Sequence, residues 1–378
     1  MRYVFFITII VLLQIFSLGA ALALQWWLAP WLSATLNLVL WLAVFVMTNG
    51  LLLITFTKRL ANSYRWVSAW MLVLHFIMLT ALVIGCFYGI YGLIASLTGT
   101  LSLTPETVSL SLRLLAMAIF VGLFIFSLYS AYVPVVRKLS LTIDKPLSSQ
   151  LRIAVASDLH LGTLFGNKAI DELHQLLVKH KADMLLMPGD ILDDNTQAFN
   201  EYNMADNLTR LCASVPYGVY ATLGNHDLYG HEQPISEALR DAGVQLLNDT
   251  VLKVDYRGQP IWLVGRFDNH KRERVATTAL LALVDTSGPV ILLDHRPSDI
   301  MLHSQLPIDV QVSGHTHDGQ IFPANYIVRA INRLGYGYEA INQRHFIVSS
   351  GYGFWGIPFR LGSRSEVWLI TVLGTSNQ

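Results

Sequence analysis

The sequence is poor in charged residues and in cysteine, and both shortages restrict what the protein can do. Only 14% of its 378 residues are charged, and 26 basic residues balance 26 acidic ones. A chain without net positive charge gives no reason to expect nucleic-acid binding. The only two cysteines, Cys86 and Cys212, cannot form a disulfide framework, and so few cysteines fit a reducing compartment.

Hydrophobic residues make up 53% of the chain, and their excess lies before about residue 136. This part contains four apolar runs, each long enough to cross a bilayer, which takes about 20 residues. Tryptophans near the ends of the runs are typical of interfacial anchors. We therefore predict an all-α transmembrane region over residues 1–138, with spans at roughly 3–25, 33–56, 66–95 and 114–135.

Positive residues in the short connecting segments predict the orientation of these spans. Six of them fall in segments that would share one side of the membrane: Arg2, Lys58, Arg59, Arg65, Arg137 and Lys138. The segments on the other side offer only Arg113. Positive residues mark the cytoplasmic side. We therefore expect a multi-pass protein of the inner (plasma) membrane, with residues 139–378 on its cytoplasmic side.

The second part of the chain, residues 139–378, alternates short apolar strands with helical stretches. The stretch "KAIDELHQLLVKH" (168–180) places Ile170, Leu173 and Leu177 on one helical face. Helices separate the early strands, and the later portion is richer in strands. This alternation predicts an α/β domain built from β-α-β units.

Polar side chains follow five of the predicted strands. In "AVASDLHLG", Asp158 and His160 are two residues apart, so they would project together, which is costly without a partner. Ligands of open α/β sheets bind beyond the carboxyl ends of the strands. In chain order the clusters are Asp158 with His160, Asp190, Asn225 with His226, His295, and His315 with His317. An ordinary turn explains one such cluster, but it is a strained explanation for five.

The chemistry of these side chains predicts a metal site. Carboxylate, imidazole and amide groups without thiolate suit Zn, Mn, Fe or similar divalent ions. An acid between two histidine-bearing segments can bridge two ions. Two ions about 3.5–4 Å apart can stabilise both the attacking and the leaving oxygen of a displacement reaction. Glycines before Asp190, Asn225 and His315 permit tight turns and close approach of the backbone.

The motifs "SDLHLG", "GD", "GNHD", "LLDHRP" and "GHTHDGQ", in this order, resemble the calcineurin-like metallophosphoesterase superfamily over essentially the whole of residues 151–378. The tail "GYGFWGIPFRLGSRSEVWLITVL" resembles a bacterial subfamily of membrane-associated phosphoesterases. The resemblance implies an α/β fold over residues 139–378, a β-sandwich flanked by helices, after the four-span transmembrane region. It also implies a hydrolase that cleaves a phosphoester or pyrophosphate bond with metal-activated water.

The resemblance further implies a role for each polar residue. Two divalent ions would be bound, with Mn favoured over Zn, Fe and Mg. One ion would be held by Asp158, His160 and His317, the other by Asn225, His295 and His315, and Asp190 would bridge them. His226 would be the general acid that protonates the leaving oxygen, and Asp227 would orient it.

Several residues near the motifs have two interpretations each. Asp318 stands where the family usually has glycine, and it would either orient His317 or, as we favour, lie in a solvated turn. Arg266 would bind an anionic head group or the membrane surface, or lie in a solvated loop. Arg360 would reach a phosphate or pair with Glu366. The acids at 193 and 194 would support the site or simply form a turn.

The motifs leave the substrate open because the ions would recognise only phosphate. Four spans favour a lipid-linked substrate, and the subfamily resemblance allows a nucleotide-sugar lipid. The alternatives are a broad-specificity phosphodiesterase or phosphomonoesterase, and a membrane sensor or scaffold with a ligand-binding phosphoesterase-like domain. A transporter is disfavoured because the spans carry almost no charge. The sequence makes no prediction of oligomeric state.

Overall fold

The computed structural model describes residues 2–57, 63–99 and 104–375. The chain divides into two compact units, Met1–Ser127 and Leu128–Gln378. Lys58 and Arg59, two of the residues behind the predicted orientation, lie outside the described residues. The boundary predicted at residue 138 stays a prediction.

Four long helices begin the chain, as predicted: α1 (Arg2–Leu28), α2 (Ala34–Phe56), α3 (Ser63–Thr98) and α4 (Pro105–Tyr132). Each contains a segment long and apolar enough to cross a membrane. Hydrogen bonds join three of these helices, because Thr48 of α2 bonds to Ser17 of α1 at 3.0 Å and accepts from Trp70 of α3 at 2.8 Å. Such pairing satisfies polar groups where water is absent.

The second unit contains twelve strands and, after the end of α4, seven further α-helices among its described residues. The strands are β1 (Val135–Ile143), β2 (Leu151–Val155), β3 (Met184–Pro188), β4 (Val219–Thr222), β5 (Gln245–Leu246), β6 (Thr250–Tyr256), β7 (Gln259–Gly265), β8 (Val290–Leu293), β9 (Val310–Ser313), β10 (Gly337–Ile341), β11 (Arg344–Val348) and β12 (Glu366–Gly374). The helices are α5 (Asn167–His180), α6 (Gln197–Glu201), α7 (Met204–Ala213), α8 (Glu232–Asp241), α9 (Thr277–Leu281), α10 (Ile300–His303) and α11 (Ala324–Ile331).

These strands form two six-stranded sheets. The first has the order β1-β12-β2-β3-β4-β5, and the second has the order β10-β11-β9-β8-β7-β6. In the first sheet β2, β3, β4 and β5 run parallel, and in the second β7, β8, β9 and β11 do. Parallel neighbours end at the same edge of a sheet, so each sheet gathers several strand ends on one edge.

The two sheets pack face to face. Alternate residues of a strand point to opposite faces, so Ile153 and Val155 of β2 pack in the core shared with Ile261 and Leu263 of β7, whereas Ala154 packs in the core with the helices. Burying one large apolar side chain contributes about 1.5–3 kcal/mol. The helices cover the outer faces, which confirms the predicted β-sandwich flanked by helices.

The predicted helix over 168–180 corresponds to α5, which begins one residue earlier at Asn167. Its buried face includes Ile170, Leu173 and Leu177, the three residues that the spacing placed together. The helix ends at His180, because the next residue, Lys181, has a φ of 52° and so leaves the helical region. This helix packs on the first sheet and supports the loops that follow β2 and β3.

Candidate metal centre

The loops after five strands bring the seven predicted ligands to one edge of the sandwich. Asp158 and His160 follow β2, Asp190 follows β3, Asn225 follows β4, His295 follows β8, and His315 and His317 follow β9. Hydrogen bonds join the edges of the two sheets there: the His315 amide donates to Asp158 Oδ1 at 3.0 Å, and His295 Nδ1 lies 2.8 Å from the Pro188 carbonyl oxygen.

Five of these residues have a left-handed backbone. A positive φ is uncommon for residues other than glycine and costs conformational energy that the surrounding structure must offset. The five, with their φ values, are Asp158 (53°), His160 (46°), Asp190 (53°), His315 (69°) and His317 (49°). This concentration of strain at one edge is typical of a functional site.

The first group of ligands consists of Asp158, His160 and His317, whose ligand atoms all lie within 4.8 Å of one another. His317 Nε2 is 3.5 Å from Asp158 Oδ1 and 3.2 Å from His160 Nε2. All three residues are buried. The structure therefore brings together the three residues expected to share one ion.

The second group consists of Asp190, His295 and His315, again with ligand atoms within 4.8 Å of one another. His295 Nε2 is 3.2 Å from Asp190 Oδ2, and His160 Nε2 lies 3.8 Å from the same oxygen. Asp190 thus reaches both groups, which is the position that a bridging carboxylate needs.

Asn225 completes the set with a buried oxygen. Its amide nitrogen donates to the Tyr229 hydroxyl at 2.8 Å, whereas Oδ1 is buried and has no hydrogen-bond partner. Leaving such a group unsatisfied costs about 1–3 kcal/mol. Because the set offers oxygen and nitrogen donors, including two carboxylates, the residues present fit divalent metal ions.

Three glycines allow the loops to approach one another closely. A Cβ on Gly189 would lie 2.2 Å from His295 Nδ1, one on Gly224 would lie 2.1 Å from Asp190 Oδ1, and one on Gly314 would lie 2.1 Å from Asp158 Oδ2. Each glycine directly precedes a predicted ligand. A side chain at any of them would push the ligands apart, as the sequence motifs led us to expect.

Burial and charge set the protonation of the ligands. Burial lowers the pKa of His160 and of His315 to about 3, so both imidazoles are neutral at pH 7, as a metal ligand must be. Burial raises the pKa of Asp158 to about 6. Burial also lowers the pKa of His295, but the charge and hydrogen bond of Asp190, together with the charges of Asp158 and Asp268, outweigh burial and raise that pKa to about 10. Bound cations would replace this proton as the compensating charge.

The sequence analysis expected Asp227 to orient the His226 ring. In the structure Asp194 holds the ring instead. His226 Nδ1 lies 2.6 Å from Asp194 Oδ1. The Asp227 carboxylate is fully buried and accepts hydrogen bonds from three backbone amides at 3.0–3.1 Å, those of Ile191, Leu192 and Gly224. Asp227 therefore fixes the turns after β3 and β4, because these amides lack partners in the sheet.

His226 faces a cavity of about 290 Å³ lined by residues that include Asp190, Asn225, Tyr229 and Trp355. Burial lowers its pKa, but the hydrogen bond to Asp194 and the charge of Asp190 outweigh burial and raise the pKa above its ordinary value. The ring thus keeps its proton to a higher pH than an ordinary imidazole does. Because Asp194 occupies Nδ1, Nε2 is the nitrogen that can donate into the cavity.

Asp318 is neither in a solvated turn, the favoured expectation, nor bound to His317. It is only 2% exposed, and its carboxylate accepts two hydrogen bonds from Arg329 of α11, at 2.9 and 2.7 Å. Its φ of 46° is a conformation that glycine adopts freely, which explains the family's usual glycine here. The partner lies eleven residues away on a helix that the motifs did not predict.

Arg360 does not bind phosphate from solvent or pair with Glu366. It is fully buried and donates to the carbonyl oxygens of Ser350 at 2.7 Å and Gly353 at 2.6 Å. Its Nη2 also lies 3.1 Å from His317 Nδ1, so it supports the position of that ligand. Glu366 pairs instead with Arg137, at 3.2 Å.

Arg266 is likewise buried and committed to partners, so it is neither a head-group site nor part of a solvated loop. Its Nη1 donates to Asp294 at 2.9 Å and to Asp299 at 3.0 Å. Arg274 contacts the same two carboxylates, at 3.3 and 2.8 Å. Since Asp294 immediately precedes His295, these pairs fix the loop that carries a predicted ligand.

Sequence reasoning missed the specific roles of two residues beside the site. Tyr229 accepts the hydrogen bond that directs Asn225 Oδ1 away from the tyrosine, and Trp355 lines the cavity. Tyr229 stands four residues after Asn225, and this spacing was the available signal. Trp355 lies within the tail motif, which assigns it no role of its own, and it is 48% exposed.

Comparison with known proteins assigns the family. Residues 151–319 match the family model of calcineurin-like phosphoesterases. A curated relative from Aquifex aeolicus, described as an uncharacterized metallophosphoesterase, is 31% identical over 252 residues, which cover 64% of this chain and 93% of the relative. The chain therefore belongs to the calcineurin-like metallophosphoesterase family.

Two other relatives share only part of their length with the chain. An uncharacterized metallophosphoesterase of Helicobacter pylori is 30% identical over 246 residues. The match covers 64% of this chain and 64% of the relative, which is less than two thirds of the relative's length. A transmembrane protein with metallophosphoesterase domain from Danio rerio is 29% identical over 231 residues, 57% of this chain and 52% of the relative. With four long apolar helices of its own, the chain is a membrane protein.

Proposed function

We propose that this protein is a membrane-anchored hydrolase that cleaves a phosphoester or pyrophosphate bond with the help of two divalent metal ions. The observation that carries the proposal is the convergence of two three-residue ligand groups, both in reach of Asp190, at one edge of the sandwich. An acid held by a carboxylate, His226 with Asp194, faces the same cavity. A sensor or scaffold would have no use for a positioned proton donor.

Seven residues would hold the ions. One group is Asp158, His160 and His317, the other is Asn225, His295 and His315, and Asp190 would serve both. Bound divalent ions neutralise charge on phosphate oxygens and lower the pKa of water. Mn²⁺ is our expectation, and metal analysis of the purified protein distinguishes it from Zn, Fe and Mg.

The protein's own residues then supply the proton for the leaving group. As the bond between phosphorus and the leaving oxygen breaks and a water oxygen bonds to phosphorus, His226 Nε2 would donate its proton to the leaving oxygen. Asp194 would stabilise the charged ring before transfer and keep Nε2 directed into the cavity. Asp227 would act only by fixing the backbone that carries His226.

For the substrate we propose a lipid-linked phosphate. Tyr132, the last residue of α4, packs edge-on against Phe354 with ring centroids 5.3 Å apart. The next residue, Trp355, lines the cavity that contains Asp190 and His226. The cavity therefore lies close to the residue at which an apolar helix ends, and a phosphate at the level of lipid head groups would reach it.

The predicted orientation belongs to the same proposal. If the cavity faces the cytoplasm, reporter fusions after residue 138 give a cytoplasmic signal in cells. A signal from the opposite side of the membrane would overturn the orientation and leave the chemistry unaffected.

A hydrolysis screen of the full-length protein in lipid nanodiscs tests the proposed substrate class. Phospholipids, a nucleotide-sugar lipid and soluble phosphoesters are compared at equal concentration, with Asp190→Asn as the inactive control. We expect a lipid-linked ester to have the highest kcat/KM. A soluble ester with the highest value would favour a broad-specificity enzyme. No hydrolysis by protein that contains two ions would favour a sensor.

A further inference from the structure

Helix α11 has an apolar face that the described part of the second unit leaves exposed. Tyr326, Ile327 and Ile331 are 63%, 60% and 76% exposed. Positions 327 and 331 are four residues apart and lie on the same face of the helix, and Tyr326 borders that face, about 100° around the helix axis. The opposite side is attached to the unit through buried Asn325 and through Arg329. Exposed apolar faces of this kind mark interaction sites.

This helix is joined directly to the turn that carries a metal ligand. Arg329 binds the buried carboxylate of Asp318 through two hydrogen bonds, and Asp318 follows His317 in the chain. A Cβ on Gly319 would lie 2.3 Å from the backbone nitrogen of Asn325. The start of α11 therefore packs on the turn after His317. A contact that displaces α11 would also displace that turn.

The same helix is connected to the place where α4 ends. The Arg329 guanidinium lies over the Tyr336 ring, 5.4 Å from its centroid. The Tyr336 hydroxyl donates to Glu366 Oε2 at 3.0 Å, and Arg137 donates to the same oxygen at 3.2 Å. In the first sheet Glu366 of β12 lies beside Val135, the first residue of β1, which is three residues after the end of α4. Short contacts thus lead from α11 to the end of an apolar helix.

We propose that the apolar face of α11 lies in the membrane surface, with Tyr326, Ile327 and Ile331 inserted at the boundary between head groups and acyl chains. Helices with one apolar and one polar face bind there, and tyrosine is enriched at that depth. The bilayer is the favoured occupant because the contacts through Tyr336 and Glu366 place α11 only a few side chains away from the residue at which the apolar helix α4 ends. The inference rests on the proposed membrane anchoring and not on the hydrolytic reaction.

A depth measurement on the full-length protein tests this contact. Cys86→Ser and Cys212→Ser remove the native thiols, and Ile327→Cys carries a spin label in nanodiscs of phosphatidylethanolamine and phosphatidylglycerol. The matched control is Leu283→Cys, 69% exposed in the loop between α9 and β8. We expect the ratio of oxygen to nickel-chelate accessibility to be higher at 327 than at 283, because oxygen concentrates in lipid and the chelate in water.

Two outcomes would overturn the proposal. A ratio at 327 equal to that at 283 would place the face in water. Low accessibility to both reagents would indicate that protein, such as a second copy of the chain, covers it. Hydrolysis of a soluble ester by the same labelled samples is recorded separately. Its loss would concern the proposed function and not the depth of α11.

Discussion

The second unit contains two buried clusters of acids and histidines, and their comparison separates a metal site from an ion-pair network. The metal cluster consists of Asp158, His160, Asp190, Asn225, His295, His315 and His317. The arginine cluster consists of Asp294, Asp299 and His303 with Arg266 and Arg274. Both clusters bring three possible ligand residues within 4.8 Å of one another. Proximity alone therefore does not distinguish them.

The difference lies in what neutralises the carboxylates. In the arginine cluster both acids accept hydrogen bonds from two guanidinium groups. The two nitrogens of His303 lie 2.8 Å from the side-chain oxygens of Gln311 and Thr277. In the metal cluster Asn225 Oδ1 is buried without a partner. A bound cation would satisfy the metal cluster, whereas the arginine cluster needs none.

The largest expected effect is the loss of activity when metal is removed. A chelator should abolish hydrolysis by the full-length protein, and added divalent ion should restore it, because bound ions would neutralise the phosphate charge and lower the pKa of the attacking water. Activity and metal content are measured on the same sample. Undiminished hydrolysis by protein shown to be free of divalent ions would contradict the role of the metal cluster.

His226→Ala should reduce hydrolysis by about 10²–10⁴-fold when the leaving group is an alkoxide, since the proton donor is lost. A nitrophenolate leaves without a proton, so the loss with that leaving group should be far smaller. Metal content should remain near normal because Asn225 is intact. Equal losses with both leaving groups, or a lost ion, would show that His226 is not the acid.

Asp194→Asn, which changes the residue that holds the His226 ring, should reduce hydrolysis less than His226→Ala does, with the same dependence on the leaving group. The variant keeps the shape of the side chain but removes the charge that stabilises the protonated His226 ring. We expect the loss to be greater for an alkoxide than for nitrophenolate, and less than in His226→Ala. A loss independent of the leaving group would assign Asp194 a purely structural role.

Arg266→Ala should destabilise the second unit by about 3–5 kcal/mol, because it leaves buried carboxylates with less compensating charge. Arg274 still contacts both acids, which favours the lower end of that range. Thermal unfolding of the full-length protein measures the change, and metal analysis should still find two ions. Unchanged stability together with a missing ion would mean that the arginine cluster belongs to the metal site.

The smallest expected effect is that of an exposed ion pair. Arg210 Nη2 lies 2.6 Å from Asp171 Oδ1 on the surface between α5 and α7. Arg210→Ala should change stability by about 0–1 kcal/mol, because water screens such pairs. A change as large as that of Arg266→Ala would show that burial is not what distinguishes the arginine cluster.

The sequence was sufficient to predict which residues meet at the site. Asp158, Asp190 and His295 each follow an apolar strand, and parallel strands end at one edge, so their convergence follows from the fold class. The partner of His226 could not be predicted, because Asp194 and Asp227 both lie in loops whose backbone decides where each carboxylate points. Asp227 is adjacent in sequence but is directed toward backbone amides.

The arginines illustrate the same limit. Arg266 and Arg360 stand near motif residues in the sequence, which suggested contact with an anionic ligand. Their burial depends on how loops from distant parts of the chain pack, and the sequence pattern carries no signal for it. In the fold, Arg266 pairs with two acids and Arg360 with carbonyl oxygens.

The most direct test of the metal centre is the metal content and activity of Asp190→Asn, compared with the wild type and with Asp241→Asn, an exposed acid at the end of α8. The Asp190 carboxylate reaches both ligand groups, so the variant should lose nearly all activity and most bound metal. The wild type and Asp241→Asn should each contain two divalent ions per chain and be fully active. Full activity of Asp190→Asn with two ions bound would contradict the dinuclear centre.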